Sequence, residues 1–272
     1  MSSVNLENVA EILKECAEKY ILPRYKTLAD HEISSKSGPR DLVTHADIDV
    51  EEHLKRVLPD LLPGSIVIGE ESVSSGRASL DILKDITQSI WVVDPVDGTH
   101  NFVHHKSEFG IMLACVVNGV TQYSWIYDVL GRRMAIAERG NGAFVDDQKL
   151  YVQSLCDISE LTGHINPGYF PAQYKDHIRA ARKKFKSCQT LNCAAHEYLR
   201  IATGQAQFSI YSRMKPWDHL PGALIVIEAG GYVEKWDRTS YAPQDNHMGL
   251  IVAASPENWN MAYDVFLRNI QS

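Results

Sequence analysis

The chain lacks a C-x-x-C pair, an apolar run long enough to cross a bilayer, a basic excess and a low-complexity linker. Its five cysteines, Cys16, Cys115, Cys156, Cys188 and Cys193, are odd in number and widely scattered. That argues against a disulfide framework or a zinc ribbon, and reduced thiols in a cytoplasmic protein are the expectation. The segment from Met1 to Tyr20 carries acidic residues and no long apolar stretch, so neither a signal peptide nor a membrane span is expected there. Lys and Arg number 27 against 34 Asp and Glu, a net charge of -7. A general nucleic-acid binder carries the opposite balance, so no direct nucleic-acid binding is expected. Bound divalent cations would reverse the local field wherever such a chain handles an anion.

What is present suffices for a large core: 272 residues, 44% hydrophobic. Length alone fits one large domain or two fused halves. Leu6, Val9, Leu13, Cys16, Ala17 and Tyr20 recur at helical spacing and predict an amphipathic helix. The polar stretch Ser34 to Arg40, with Gly38 and Pro39, reads as a mobile loop. Thr44 is placed to cap a second helix running through Ile48, Leu54 and Leu58 toward Pro63. The apolar runs Ser65 to Gly69 and Ile90 to Val93 read as buried strands, and residues 110–152, punctuated by Asn118-Gly119, Gly131 and Gly140-Asn141-Gly142, as an antiparallel meander. The second half alternates helical stretches (172–184, 194–202, 218–229, 257–267) with short strands (207–211, 249–254). The sum is a layered α/β unit, with about 1–155 and 156–272 as its two lobes.

Three acidic clusters stand at element boundaries: Gly69-Glu70-Glu71-Ser72, Trp91-Val92-Val93-Asp94-Pro95-Val96-Asp97-Gly98-Thr99, and Pro216-Trp217-Asp218. In the second, Asp94 is expected to end a strand and Pro95 to turn the chain. Asp94, Asp97 and the Val96 carbonyl can then converge on one point. Such hard oxygen donors suit Mg²⁺ and suit zinc or copper poorly. The N–H groups of Gly98 and Thr99 can receive a phosphate at the start of a helix or tight turn. Taken singly each cluster has an ordinary explanation: Asp-Pro-x-Asp-Gly is good turn sequence, an acidic pair is commonly solvated, and Asp218 fits a helix N-cap. The argument rests on the three together. Other motifs fail, since His196-Glu197 meets Arg200 where H-E-x-x-H requires a second His. His100, His104, His105 and His219 are expected to neighbour the site without ligating a hard cation.

The motifs Asp41-Leu42-Val43-Thr44 with Asp47, Gly69 to Ser72, Trp91 to His104, Gly140 to Phe144, Pro216 to Asp218 and Glu228 to Gly231 together resemble the inositol monophosphatase family of lithium-sensitive, magnesium-dependent phosphatases. The similarity runs over nearly the whole chain. It implies an α+β fold, the layered α-β-α-β-α sandwich of the inositol monophosphatase and fructose-1,6-bisphosphatase type, usually a homodimer. It implies that Glu70, Asp94, the Val96 carbonyl, Asp97 and Asp218 bind two or three Mg²⁺ ions, and that Thr99 and Asp47 support the attacking water. The substrate would lie against Asp97, Gly98, Thr99, Asn192, Cys193, Ala194, Tyr211 and Asp218. Two positions depart from the pattern. Tyr211 stands where the family places a Glu seven residues before the last metal-binding Asp, and Asn192-Cys193 replaces a Gly-Ser or Gly-Thr step.

The expected chemistry follows. Paired cations activate a water and steady the leaving oxygen, with Glu70 and the Thr99 hydroxyl orienting the water and Asp47 fixing Thr99. A loop carrying Lys36 would close over the cluster. The expected function is hydrolysis of myo-inositol monophosphate or a related sugar phosphate. Tyr211 and Asn192 keep another small phosphate open: fructose bisphosphate, histidinol phosphate or a nucleotide 3'-phosphate. A non-catalytic regulatory protein of the same fold is the alternative of another class, opposed by the complete ligand set.

Overall fold

The computed structural model describes residues 4–38, 41–245, 247 and 249–268. Its helices are α1 Leu6–Cys16, α2 His45–Leu61, α3 Glu70–Ser74, α4 Thr99–Val103, α5 Lys175–Ala181, α6 Ala194–Ala202, α7 Pro216–Glu228 and α8 Pro256–Phe266. Its strands are β1 Ile33–Gly38, β2 Asp41–Thr44, β3 Ile66–Gly69, β4 Ile90–Asp97, β5 Gly110–Val117, β6 Val120–Asp128, β7 Arg133–Glu138, β8 Gly142–Val145, β9 Gln148–Lys149, β10 Thr162–Ile165, β11 Ser187–Gln189, β12 Phe208–Tyr211, β13 Tyr232–Lys235 and β14 Leu250–Ala253. Strands β3 to β9 form one sheet in chain order; β11-β10-β12-β14-β13 form a second; β1 and β2 pair alone.

The alternation of side chains along the strands builds the layers. Trp91 and Val93 of β4, with Leu113 of β5 and Trp125 of β6, face Val9 and Leu13 of α1 and Val50 and Leu54 of α2. Ile90 and Val92, one residue out of phase, face Trp217 and Leu220 of α7. Further along that sheet Met112, Ile126 and Ala135 meet Tyr198 and Leu199 of α6 and Leu224 and Ile225 of α7. The same two helices cover Leu250 and Val252 of β14 from the other side. Ile251 and Ala253 point the opposite way, onto Ile178 of α5 and Trp259 and Phe266 of α8. The order is therefore helices, seven-stranded sheet, helices, five-stranded sheet, helices, as the family resemblance implied. Among the described residues no helix is long and apolar enough to cross a membrane.

Several expectations need correcting. Ser34 to Gly38 is a strand: Ser34 pairs with Val43 and Ser35 with Leu42, so a partner overrides the weak strand propensity of a Ser-rich run. Pro39 and Arg40 lie outside the described residues. Strand β4 does not stop at Asp94 but runs to Asp97 through a register shift against β5, because Pro95 has no N–H to donate and a bulge accommodates it. Residues 172–184 hold only a short α5 flanked by 3-10 turns. Asp218 is not the N-cap of α7; Lys215 is, and Pro216 takes the first helical position, where its fixed φ is favourable. Strands β10, β11 and β13 were not anticipated; each is three or four residues long.

Candidate metal centre and active site

Parallel pairing of β3 and β4 sets the first contact. Gly69 registers with Val93, so the next residues stand side by side: Glu70 opening α3 and Asp94 still paired with Met112 of β5. Asp94 shares the phase of Ile90 and Val92, hence the face covered by α7, where Trp217 and Leu220 dock and carry Asp218 in the first turn. One carboxylate oxygen from each of Glu70, Asp94 and Asp218 lies within 4.8 Å of the others. Burial, then the neighbouring Glu70, Asp97 and Asp218, pushes the Asp94 pKa well above its ordinary value. Burial, then Glu70 and Asp97, does the same for Asp218. Carboxylates crowded in this way favour a proton or a cation among them.

Asp97 stands outside that triad. Its Oδ2 accepts hydrogen bonds from the Cys193 thiol at 2.9 Å and the Ala195 N–H at 2.6 Å. Burial raises its pKa, opposed by Cys193 and the N–H groups of Ala195 and Ala194. The carboxylate thus bonds the opening of α6, where the helix presents unpaired donors. Burial and Asp97 hold the Cys193 thiol well above its usual pKa, so it remains a donor. Asn192, Cys193 and Ala194 are in this way tied to the acidic site. Gly98 joins the two parts with φ +85°, and a Cβ there would stand 2.8 Å from the Glu108 carbonyl and 3.2 Å from the Cys193 Cβ.

Asp47 and Thr99 meet as expected. Asp47 Oδ2 accepts the Thr44 N–H at 2.8 Å and the Thr44 hydroxyl at 2.6 Å, which closes the capping box of α2. Asp47 Oδ1 lies 3.1 Å from the Thr99 Oγ1, which is also 2.9 Å from the Val96 carbonyl. One hydroxyl proton serves one of these acceptors at a time. Burial, partly offset by Thr44, pushes Asp47 up to about 6.

Sequence reasoning missed Glu51, named Glu71 only as part of an acidic pair and placed Lys36 only on a loop. Lys36 extends from β1 to within 2.8 Å of Glu70 Oε1 and 2.6 Å of Glu71 Oε1. Burial works against its charge, but the two carboxylates outweigh it and hold the ammonium above its usual pKa. Burial pushes Glu71 up to about 8 despite Lys36. Behind them the buried Glu51 accepts the N–H groups of Glu71 at 2.7 Å and Ser72 at 2.9 Å and pairs with Lys55 at 2.9 Å. It fixes the turn that aims Glu70. Glu51 lies four residues after Asp47 on the same helix, a spacing that shares a face and could have revealed it.

On β12, Tyr211 stacks on Tyr198 at 5.5 Å and leans on His219 at 4.6 Å. Its hydroxyl is buried, with Glu197 and Ser209 beside it. His219 Nε2 lies 2.7 Å from the Arg213 carbonyl, which requires the proton on Nε2. Nδ1 then accepts from the Tyr198 hydroxyl at 3.1 Å. Burial lowers the His219 pKa to about 4, and the imidazole stays neutral. His100 and His104 stack on each other at 4.1 Å. No histidine belongs to the carboxylate triad.

A family profile described as "Inositol monophosphatase family" matches residues 4–271. Inositol monophosphatase 1 of Rattus norvegicus is 32% identical over 252 residues, covering 90% of this chain and 88% of the rat protein. The structure of the extragenic suppressor protein suhB from Bartonella henselae superposes with a TM-score of 0.84 at 21% identity, covering 98% of this chain and 100% of that one. An IMPase/NADP phosphatase complexed with Mg²⁺ and phosphate gives a TM-score of 0.81 at 20% identity, covering 97% of each chain. At such identities these two likenesses speak to the fold.

Proposed function

The chain belongs to the inositol monophosphatase family, whose members are phosphoric monoester hydrolases, and from that premise we propose that it hydrolyses a small phosphate ester at Glu70, Asp94, Asp97 and Asp218 with the help of Mg²⁺. The observation that carries this reading is the three carboxylate oxygens gathered within 4.8 Å at the end of β4. Their donor set, oxygen without sulfur or imidazole, fits a hard divalent cation. Glu70, Asp94, the Val96 carbonyl, Asp97 and Asp218 would hold it. Bound there, Mg²⁺ supplies charge neutralisation for the transferring phosphoryl group and acidifies water.

The chain's own groups supply the rest. Thr99, steered by Asp47, and Glu70 orient the attacking water. The N–H groups of Gly98 and Thr99 receive a phosphate oxygen. The Ala194 and Ala195 N–H groups keep the Asp97 carboxylate facing the site. Lys36 supplies a positive charge against Glu70 and Glu71. The alcohol is myo-inositol or a related sugar in the first reading. The buried hydroxyl of Tyr211, where the family pattern has a carboxylate, supports the second: another small phosphate, such as a fructose bisphosphate, a histidinol phosphate or a nucleotide 3'-phosphate. We read residues 1–155 and 156–272 as lobes of one unit, since α7 from the second packs on β4 from the first. We propose a homodimer in the cytoplasm.

Asp97→Asn tests the ligand set. Its remaining oxygen can still accept from α6, so the melting curve should stay near wild type while kcat falls at least about a hundredfold. A near-normal kcat would remove Asp97 from the metal site.

A further inference from the structure

We propose that Arg213, braced on Tyr169, binds a second anionic group on the alcohol part of the substrate, so that the chain favours phosphate esters carrying another phosphate over esters of neutral alcohols. The proposal rests on the hydrolase reading above and specifies its substrate class.

Arg213 lies in the link between β12 and α7, and its carbonyl receives the Nε2–H of His219 at 2.7 Å. That bond ties the link to the first turn of α7, one residue beyond Asp218. The guanidinium lies 4.3 Å from the centre of the Tyr169 ring. It is exposed, and it makes no ion pair or side-chain hydrogen bond among the described residues. Tyr169 is 49% exposed and is itself held. Its carbonyl accepts the Ser212 hydroxyl at 3.1 Å, and the turn before it is closed by the Gly168 N–H on Asn166 Oδ1 at 2.9 Å. Asn166 Nδ2 in turn donates to Asn192 Oδ1 at 3.0 Å, one residue from the Cys193 that bonds Asp97. The platform therefore forms the rim of the site, on the side of the Asn192 segment. Burial raises the Tyr169 pKa, with Arg213 opposing and Asp218 and Asp97 adding to the rise, as closeness to the acidic centre requires.

An exposed arginine without a partner contributes little to stability. Its cation–π contact instead holds the guanidinium over the Tyr169 ring. A guanidinium held against an aromatic ring can still present donors to two phosphate oxygens. Lys215, two residues on and lying over Trp217 at 5.3 Å, adds positive charge to the same link. A neutral polyol would use none of this.

The clean comparison is fructose 1-phosphate against fructose 1,6-bisphosphate, one alcohol without and with the second phosphate, at fixed free Mg²⁺. Wild type should show the higher kcat/KM on the bisphosphate. In Arg213→Gln the ratio of the two kcat/KM values should fall about tenfold or more, through KM. Arg213→Lys should recover part of the ratio and Tyr169→Ala should lose part of it, whereas a merely structural arginine would affect both esters alike. A ratio in Arg213→Gln within about twofold of wild type overturns the proposal. Wild type that hydrolyses both esters with a ratio indifferent to Arg213 sinks this proposal alone. Wild type that releases phosphate from neither ester contradicts the hydrolase reading and this proposal with it.

Discussion

Asp47 serves two elements with its two oxygens. One closes the capping box of α2 on Thr44 and the other faces the Thr99 hydroxyl. Asp47→Asn should therefore cut kcat about 10- to 100-fold, as loss of a positioning carboxylate does, and should cost roughly 0.5–2 kcal/mol of stability through the cap. Thr99→Ala should share the first effect without the second. Because both act on the same hydroxyl, the double variant should lose little more activity than the worse single one. Fully multiplicative losses would show that they act separately. The acidic clusters of Glu70, Asp94, Asp97 and Asp218 were legible as sequence motifs, and Asp47 and Thr99 through the family resemblance, although those two lie 52 positions apart. Glu51 and the ion pairs of Lys36 were not legible. Their partners Glu70, Glu71 and Ser72 lie 20 or more positions away, and only the fold brings them together.

At the scale of elements the site is a consequence of pairing. A parallel β3–β4 register and a helix docked on the Ile90–Val92 face suffice to bring Glu70, Asp94 and Asp218 together. The helices α1 and α2 could be read from apolar spacing and the meander from its turn signals. The strand at Ser34 could not, because its pairing with Val43 is a tertiary fact. Strands as short as β11 carry too few residues to show a period. Gly98 is the hinge between β4 and α4. Gly98→Ala would force a side chain into φ +85° and against the Glu108 carbonyl, with a cost of about 1–3 kcal/mol. A melting midpoint equal to wild type would contradict this account of the junction.

At the scale of the whole molecule, the chain is acidic and concentrates buried acid at one point. The layers could be built only because α6 and α7 cover both sheets, one on each side. That arrangement also encloses the carboxylates between helix and strand, where burial raises Asp94 and Asp218. The sign of the consequence is fixed. Groups with a raised pKa in the folded state stabilise it below their unfolded pKa, and that contribution is lost as pH rises through the folded values. Asp47, pushed up to about 6, and Glu197, pushed up to about 7 by burial, lie on the same side of this balance. A cation that replaces the protons should then stabilise the protein more at about pH 8 than at about pH 5.

The central claim, that this acidic cluster performs phosphate-ester hydrolysis with a divalent cation, is tested most directly by phosphate release from a simple monoester in chelator and again after Mg²⁺ is restored. The account predicts no turnover in EDTA and recovery with Mg²⁺, accompanied by a rise in melting temperature that is larger at the higher pH. Full turnover in chelator, with a melting temperature indifferent to Mg²⁺, would contradict it.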